Sequence, residues 1–460
     1  MRRATNLSLG IATVVLWWGI LINAISGEFA IFPDSPGYQV TEGFPISWVG
    51  ESWRAWPVPL LFSLSPNFRV QVLLQSIVFG AGWTMVLWVF LRGLRPWVAG
   101  TAAGVLVALA LTPLYLQWTL TILSEAATLG LLLFGLALAQ VTYTRSGKKN
   151  ASLRITWLVF VVMLVSLGMA SMSRLTLLIF VVVLGAVLVV RTWRAHLRVS
   201  AGVMAVCLAV MSLYVMLLNS RIDEHWGISR TATYYGYLTA TGTPSQGVLA
   251  DSLYEEMTAR GPACLTGLRA SAGGVDGPDP WQLRRVLNTQ CPAGVEWLES
   301  NFQAEYLKFA ISRPAYLSRF ILEYLPATGD PGGYVSVTSI LPAPVTQVFS
   351  STDDAGHAYR PIYLWILVGF GALAMAVVSR RQRSSLWAGS ILGLAGIVAS
   401  LLALGATIVS LNSEVARISS QATALLITCV VLAWAGRSRL PVAAEYQAEA
   451  SSPQSREDQA

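Results

Sequence analysis

Ten stretches of this chain, at roughly 7–26, 70–91, 97–116, 121–142, 155–173, 175–191, 199–219, 361–379, 386–411 and 418–435, are apolar over about the ~20 residues that a bilayer-crossing helix requires. So many apolar runs cannot share one water-soluble core, and the composition agrees. Of the 460 residues 54% are hydrophobic and 12% charged, with a mean hydropathy of +0.57. The expected fold class is an all-α polytopic membrane protein of about ten transmembrane helices. The first run is longer than the ~7–15 residues of a signal-peptide core and is read as a retained span.

Charge sets the orientation. The turns after even-numbered spans collect Arg92 and Arg95; Arg145, Lys148, Lys149 and Arg154; Arg191, Arg194 and Arg198; Arg380, Arg381 and Arg383; and Arg437 and Arg439, with no Asp or Glu among them. By the positive-inside rule these turns, Arg2, Arg3 and both termini face the cytoplasm. The long segments 27–69 and 220–360, which hold most of the carboxylates, are then extracytoplasmic. The net charge of +7 follows from this topology and from contact with anionic lipid, so it does not point to nucleic acid. Arginine outnumbers lysine, a bias that suits a GC-rich bacterial genome and a bacterial plasma membrane.

The expected organisation has four parts. An N-terminal membrane module, 1–219, carries about seven spans and a first external loop, 27–69, with amphipathic helices. A mostly helical external segment, 220–360, caps the membrane surface. A C-terminal module, 361–439, carries about three spans, and a polar tail, 440–460, is expected to be disordered and cytoplasmic. Cys264 and Cys291 are the external cysteines, where an oxidising compartment permits a disulfide, whereas Cys207 and Cys429 fall inside spans. Val295, Leu298, Phe302, Tyr306 and Phe309 recur at helical spacing, and Pro314 starts a further helix.

Ionisable groups in or beside apolar spans are costly, and they are where chemistry is sought. Glu125 opens the fourth span, Arg174 lies between the fifth and sixth, and Glu414 and Arg417 lie between the ninth and tenth. Asp34 follows the first span, in PDSPGY. The topology puts all five at the outer boundary, which suggests one site there. A plainer reading stays open for each: Asp34 or Ser35 can N-cap a helix begun by Pro36, and Glu125 suits a helix N-terminus.

In order and spacing, PDSPGY, LSEAATLGLLLFGLAL, SRLTLLIF and SEVARISSQATALLI resemble the GT-C superfamily of polytopic glycosyltransferases. The resemblance implies a transferase that takes a sugar from a polyprenyl-phosphate donor. The acceptor would be a cell-envelope glycan, lipid or protein on the outer face. It makes Asp34 and Glu125 the catalytic carboxylates. Arg174, Arg417, Tyr38 and Glu414 become substrate- or lipid-phosphate-binding residues. Leu175 stands where members often have Pro, and Ile418 where they often have Tyr. No cofactor follows with certainty; a divalent cation, Mg or Mn, is compatible with Asp34 and Glu125 as ligands, completed by substrate or water. A transporter, flippase or polymerase of lipid-linked envelope sugars is the alternative, but midplane charges and duplicated halves are lacking.

Other polar features are set aside. Asp223, Glu224 and His225 are consecutive and cannot all face one ion in regular structure. Trp48, Trp53 and Trp56 read as an interfacial anchor, and Trp226, Tyr234, Tyr235 and Tyr237 suit a membrane interface as well as a sugar face. P-loop, Rossmann, zinc-ligand and G-x-S-x-G patterns are absent.

Overall fold

The computed structural model describes residues 2–31, 35, 57–146, 152–195, 197–225, 235–236, 248–267, 273–274, 277–278, 280–316, 318, 360–381, 391–409 and 415–436. The protein is helical. Among the described residues the only β-ladder is a minimal antiparallel pair, β1 (Gly273–Gly274) with β2 (Gly277–Pro278). Six helices are long and apolar enough to cross a membrane. They are α1 (Arg2–Ser26), α3 (Phe68–Leu91), α6 (Glu125–Ser146), α7 (Leu153–Ser173), α8 (Leu178–Arg194, continuing a 3-10 turn at Leu175–Leu177) and α9 (Arg198–His225). Shorter apolar helical stretches, Pro96–Ala110, Leu364–Ala376 (within α14, Arg360–Arg381), Ile391–Ala406 and Ser420–Gly436, lie at the other four expected positions, and a short α2 (Pro57–Ser63) precedes α3. This is a multi-pass membrane protein.

The expected third span, 97–116, is not one helix. Its first part, α4, runs Pro96–Ala110 and stops at Leu111 and Thr112. Pro113 then begins a separate short helix, α5 (Pro113–Leu120). Proline has no N–H to give to a carbonyl four residues back and suits a first helical position, so it restarts the chain rather than continuing α4. The expected start of the fourth span also moves. Residues 121–124 lie outside helix, and α6 opens at Glu125.

Lipid is the solvent for these helices, which explains where apolar side chains are exposed. On α9, Val199, Val203, Val206, Val210, Leu213 and Leu217 are all exposed and recur every three or four residues, so they form one lipid-facing stripe. α6 is different. It is buried along most of its length and packs against both α3 and α7.

Where α3 meets α6 the backbones touch. A Cβ on Gly82 would stand 2.3 Å from the Gly130 carbonyl oxygen, and one on Gly130 would stand 2.4 Å from that of Val78. Neither position has room for alanine, and small residues of this kind are what let membrane helices approach closely. α3 and α6 both begin at the same end of the bundle. Five residues back from Gly130 is Glu125, and five back from Val78 and Gly82 are Leu73 and Ile77, which sets Glu125 level with the turn of α3 that holds Gln75.

The helices between α9 and residue 316 have a core of their own. α10 (Val248–Arg260), α11 (Pro280–Gln290), α12 (Pro292–Ser300) and α13 (Phe302–Ser312) bury Leu253, Met257, Leu283, Leu287, Leu298, Phe302 and Phe309 together. The expected Cys264–Cys291 disulfide is formed, with Cα atoms 5.5 Å apart. Tyr235, Phe302 and Tyr306 stack in sequence, at centroid distances of 4.3 and 5.7 Å. The ammonium of Lys308, 2.6 Å from the Glu305 carboxylate, and then the Arg260 guanidinium hold Glu305 below its ordinary range. A depressed folded-state value means this contribution is complete above the ordinary glutamate range and disappears as pH falls through the lowered one.

Candidate active site

α1 ends at Ser26, and four residues later its continuation runs beside the segment that leads into α6. The Ala30 amide donates to the Leu120 carbonyl at 3.1 Å, and the Ile122 amide donates back to the Ala30 carbonyl at 3.1 Å, a parallel bridge between Ala30 and Thr121. Ser35, fully buried, donates its hydroxyl to the Ile122 carbonyl at 2.8 Å. From the opposite side the amide nitrogen of Gln75 donates to the carbonyls of Thr119 and Thr121, each at 2.7 Å. Four consecutive carbonyls, 119 to 122, where α5 ends and the chain bends toward α6, are thus captured alternately by two other parts of the chain, since the last carbonyls of a helix have no partner within it. Lipid offers no water to these carbonyls, so such capture is what makes non-helical backbone tolerable at a membrane boundary.

That anchored segment delivers Glu125 to the first position of α6. Its side chain is fully buried, and the Arg174 Nη2 donates to its Oε1 at 2.6 Å. Arg174 reaches it from a break in another helix. It is the C-cap of α7, with extended backbone (φ −148°, ψ 104°), before the 3-10 turn that starts α8. The turn packs against α7, α8, α9 and α15 (Ile391–Val409). A buried carboxylate is tolerable in a membrane protein only with such a partner and its own hydrogen bonds.

Of the residues singled out from the sequence, the structure therefore brings Glu125 and Arg174 into direct contact. Arg174 was expected to meet a phosphate; here it meets the carboxylate. Asp34, Tyr38 and Glu414 lie outside the described residues. Arg417 is in the first turn of α16 (Val415–Gly436), and its side chain is likewise outside the description. Ser35 places the chain next to Asp34 on the carbonyl three residues before Glu125. Asn67, which caps α3 through the Arg69 amide at 2.8 Å, and Arg69, which donates to the Gly27 carbonyl at 2.6 Å, hold the ends of α1 and α3 together at this same site.

Gln75 was not among the sequence candidates, and Ser35 was one only as a possible N-cap. Their partners are backbone carbonyls, which have no residue identity to read. The one available signal was a glutamine within an apolar span, which needs a partner wherever it sits.

No family model and no curated protein matches the chain. Over 94% of its length, and 77% of theirs, it is similar to two crystal structures of ArnT from Cupriavidus metallidurans, one bound to undecaprenyl phosphate and one in the apo state. Identity is 15% with both, and the TM-scores are 0.29 and 0.30 respectively. At that overlap no residue role passes from one chain to the other.

Proposed function

We propose that this protein is a membrane glycosyltransferase that moves a sugar from a polyprenyl-phosphate donor to a hydroxyl of a cell-envelope acceptor on the outer face of a bacterial plasma membrane. The observation that carries the reading is the buried Glu125–Arg174 pair, set at the same end of the bundle as the anchored first loop. A buried carboxylate and guanidinium beside a second acidic loop suit a reaction that needs a proton acceptor and a phosphate-holding cation.

In this reading Asp34 takes the proton of the acceptor hydroxyl as its oxygen attacks the anomeric carbon, and the bond from that carbon to the phosphate oxygen breaks. Arg174 and Arg417 meet the negative charge that develops on the leaving phosphate, for which a guanidinium fork is well shaped. Five N–H donors allow Arg174 to hold a phosphate while keeping Glu125. Glu125 then fixes the guanidinium and sets the electrostatics of the site, and Tyr38 and Glu414 line the substrate. A divalent cation, Mg or Mn, would be an alternative use of Asp34 and Glu125. Among the described residues no three His, Cys, Asp or Glu side chains cluster, so substrate and water would complete its shell.

Sidedness supports a lipid-linked donor, because nucleotide sugars are cytoplasmic and an outer-face site needs a donor already carried by lipid. Single cysteines replacing Lys149 and Ser384 should be shielded from an impermeant thiol reagent in intact cells, and one replacing Ser245 should be labelled. Labelling at Lys149 but not Ser245 would reverse the topology and remove the reason for a lipid-linked donor.

A further inference from the structure

We propose that Gln75 is a positioning residue for the reaction, the clamp that holds Ala30 and Ser35, described residues on either side of Asp34 in the chain, in register with Glu125. The proposal rests on the glycosyltransferase reading and extends it to a residue whose own side chain does no chemistry.

Gln75 is fully buried, and both hydrogens of its amide nitrogen are spent on one short segment, the carbonyls of Thr119 and Thr121 at 2.7 Å. Between and beyond those two carbonyls lie the ones that receive the first loop, Leu120 from the Ala30 amide and Ile122 from the Ser35 hydroxyl. Gln75 therefore holds, from α3, the same stretch of chain that receives Ala30 and Ser35. That stretch cannot turn without breaking one set of bonds or the other. Three residues on it becomes α6, and the first residue of α6 is Glu125. One turn earlier on α3, Gln71 does a similar job, donating to the carbonyls of Phe62 and Ser65 at 3.2 and 2.9 Å and so fixing the chain that enters α3. The base of the clamp is stiff, because α3 and α6 are in backbone contact at Gly82 and Gly130.

The amide's other atom shows that packing alone does not require a glutamine here. Among the described residues the Gln75 Oε1 is buried with no hydrogen-bond partner. Leucine fills a similar volume without leaving that acceptor unpaired, which offsets part of what the two lost N–H bonds contribute. Gln75→Leu is accordingly a variant that should fold while releasing the stretch 119–122.

The test has a geometric arm and a kinetic arm. In a background with Cys207→Ser and Cys429→Ala, the Ala30→Cys/Thr121→Cys pair occupies the bridged positions and should cross-link readily under mild oxidation. Adding Gln75→Leu should slow cross-linking several-fold. In the enzyme without those cysteines, Gln75→Leu should lower kcat by about 10–100-fold, the scale expected when reacting groups are misplaced by about an ångström, with KM for the lipid donor near wild type. The acidic limb of the pH–rate profile should also move, since the spacing of the carboxylates changes, and Gln75→Lys, which keeps nitrogen donors, should recover part of kcat. Unchanged cross-linking in Gln75→Leu overturns the proposal, and so does an unchanged kcat. If the wild-type protein transfers no sugar, the glycosyltransferase reading fails, and the cross-linking arm alone decides whether Gln75 sets the loop.

Discussion

Asp34→Asn should reduce sugar transfer by roughly 10²–10⁴-fold, the range typical of losing a general base, while protein level and donor binding stay near wild type. Asparagine keeps the size and most of the hydrogen bonding of aspartate but cannot take up the acceptor proton. The competing explanation of PDSPGY as a capped exit from the membrane makes the opposite claim, because asparagine is itself a good N-cap and would leave activity almost unchanged. Transfer rates and donor affinity measured side by side separate the two. Ser35→Ala is the companion variant. It removes the hydroxyl that ties the loop to the Ile122 carbonyl and should cost less than Asp34→Asn, since the Ala30 bridge remains.

Arg174→Ala should be costly in two ways. The Glu125 carboxylate, fully buried, loses the guanidinium 2.6 Å from it. Breaking a buried pair by removing one partner costs about 3–5 kcal/mol, because the remaining charge stays buried without its counter-charge. Thermal unfolding in detergent should show that loss. Turnover should fall as well, and donor binding should weaken, since a phosphate-holding cation acts on ground state and leaving group alike. The double variant Glu125→Gln/Arg174→Gln separates stability from chemistry. Removing both charges should return most of the stability, and turnover should stay low. A double variant that regains both would make the pair purely structural.

The sequence made some of this legible because charge in an apolar stretch is conspicuous. Glu125 and Arg174 stood out on that ground, and they meet. Cys264 and Cys291 stood out as the external pair, and they are joined. The helical spacing that begins at Val295 is also present, although it is divided at Asn301 into α12 and α13. Less legible were features decided by backbone geometry. Hydropathy runs smoothly through residues 97–116, so the break that Pro113 imposes was lost in an apolar average. The non-helical segment 121–124 reads as the start of a span, because Ile122 and Leu123 continue the apolar run and the small hydroxyls of Thr121 and Ser124 barely interrupt it. Who pairs with whom was hidden too. A sequence shows that Arg174 needs an anion, not that Glu125 already supplies one.

The central claim is that this protein transfers sugar from a lipid-linked donor, and the most direct measurement of it is release of polyprenyl phosphate by the purified protein in detergent, given a panel of polyprenyl-phosphate sugars and a hydroxyl acceptor. Detergent micelles have no two sides, so a transporter has nothing to do in this assay. The account predicts time-dependent release with at least one donor, matched by glycosylated acceptor and abolished or nearly so by Asp34→Asn. Wild-type protein that binds such donors yet releases no polyprenyl phosphate from any of them would contradict it.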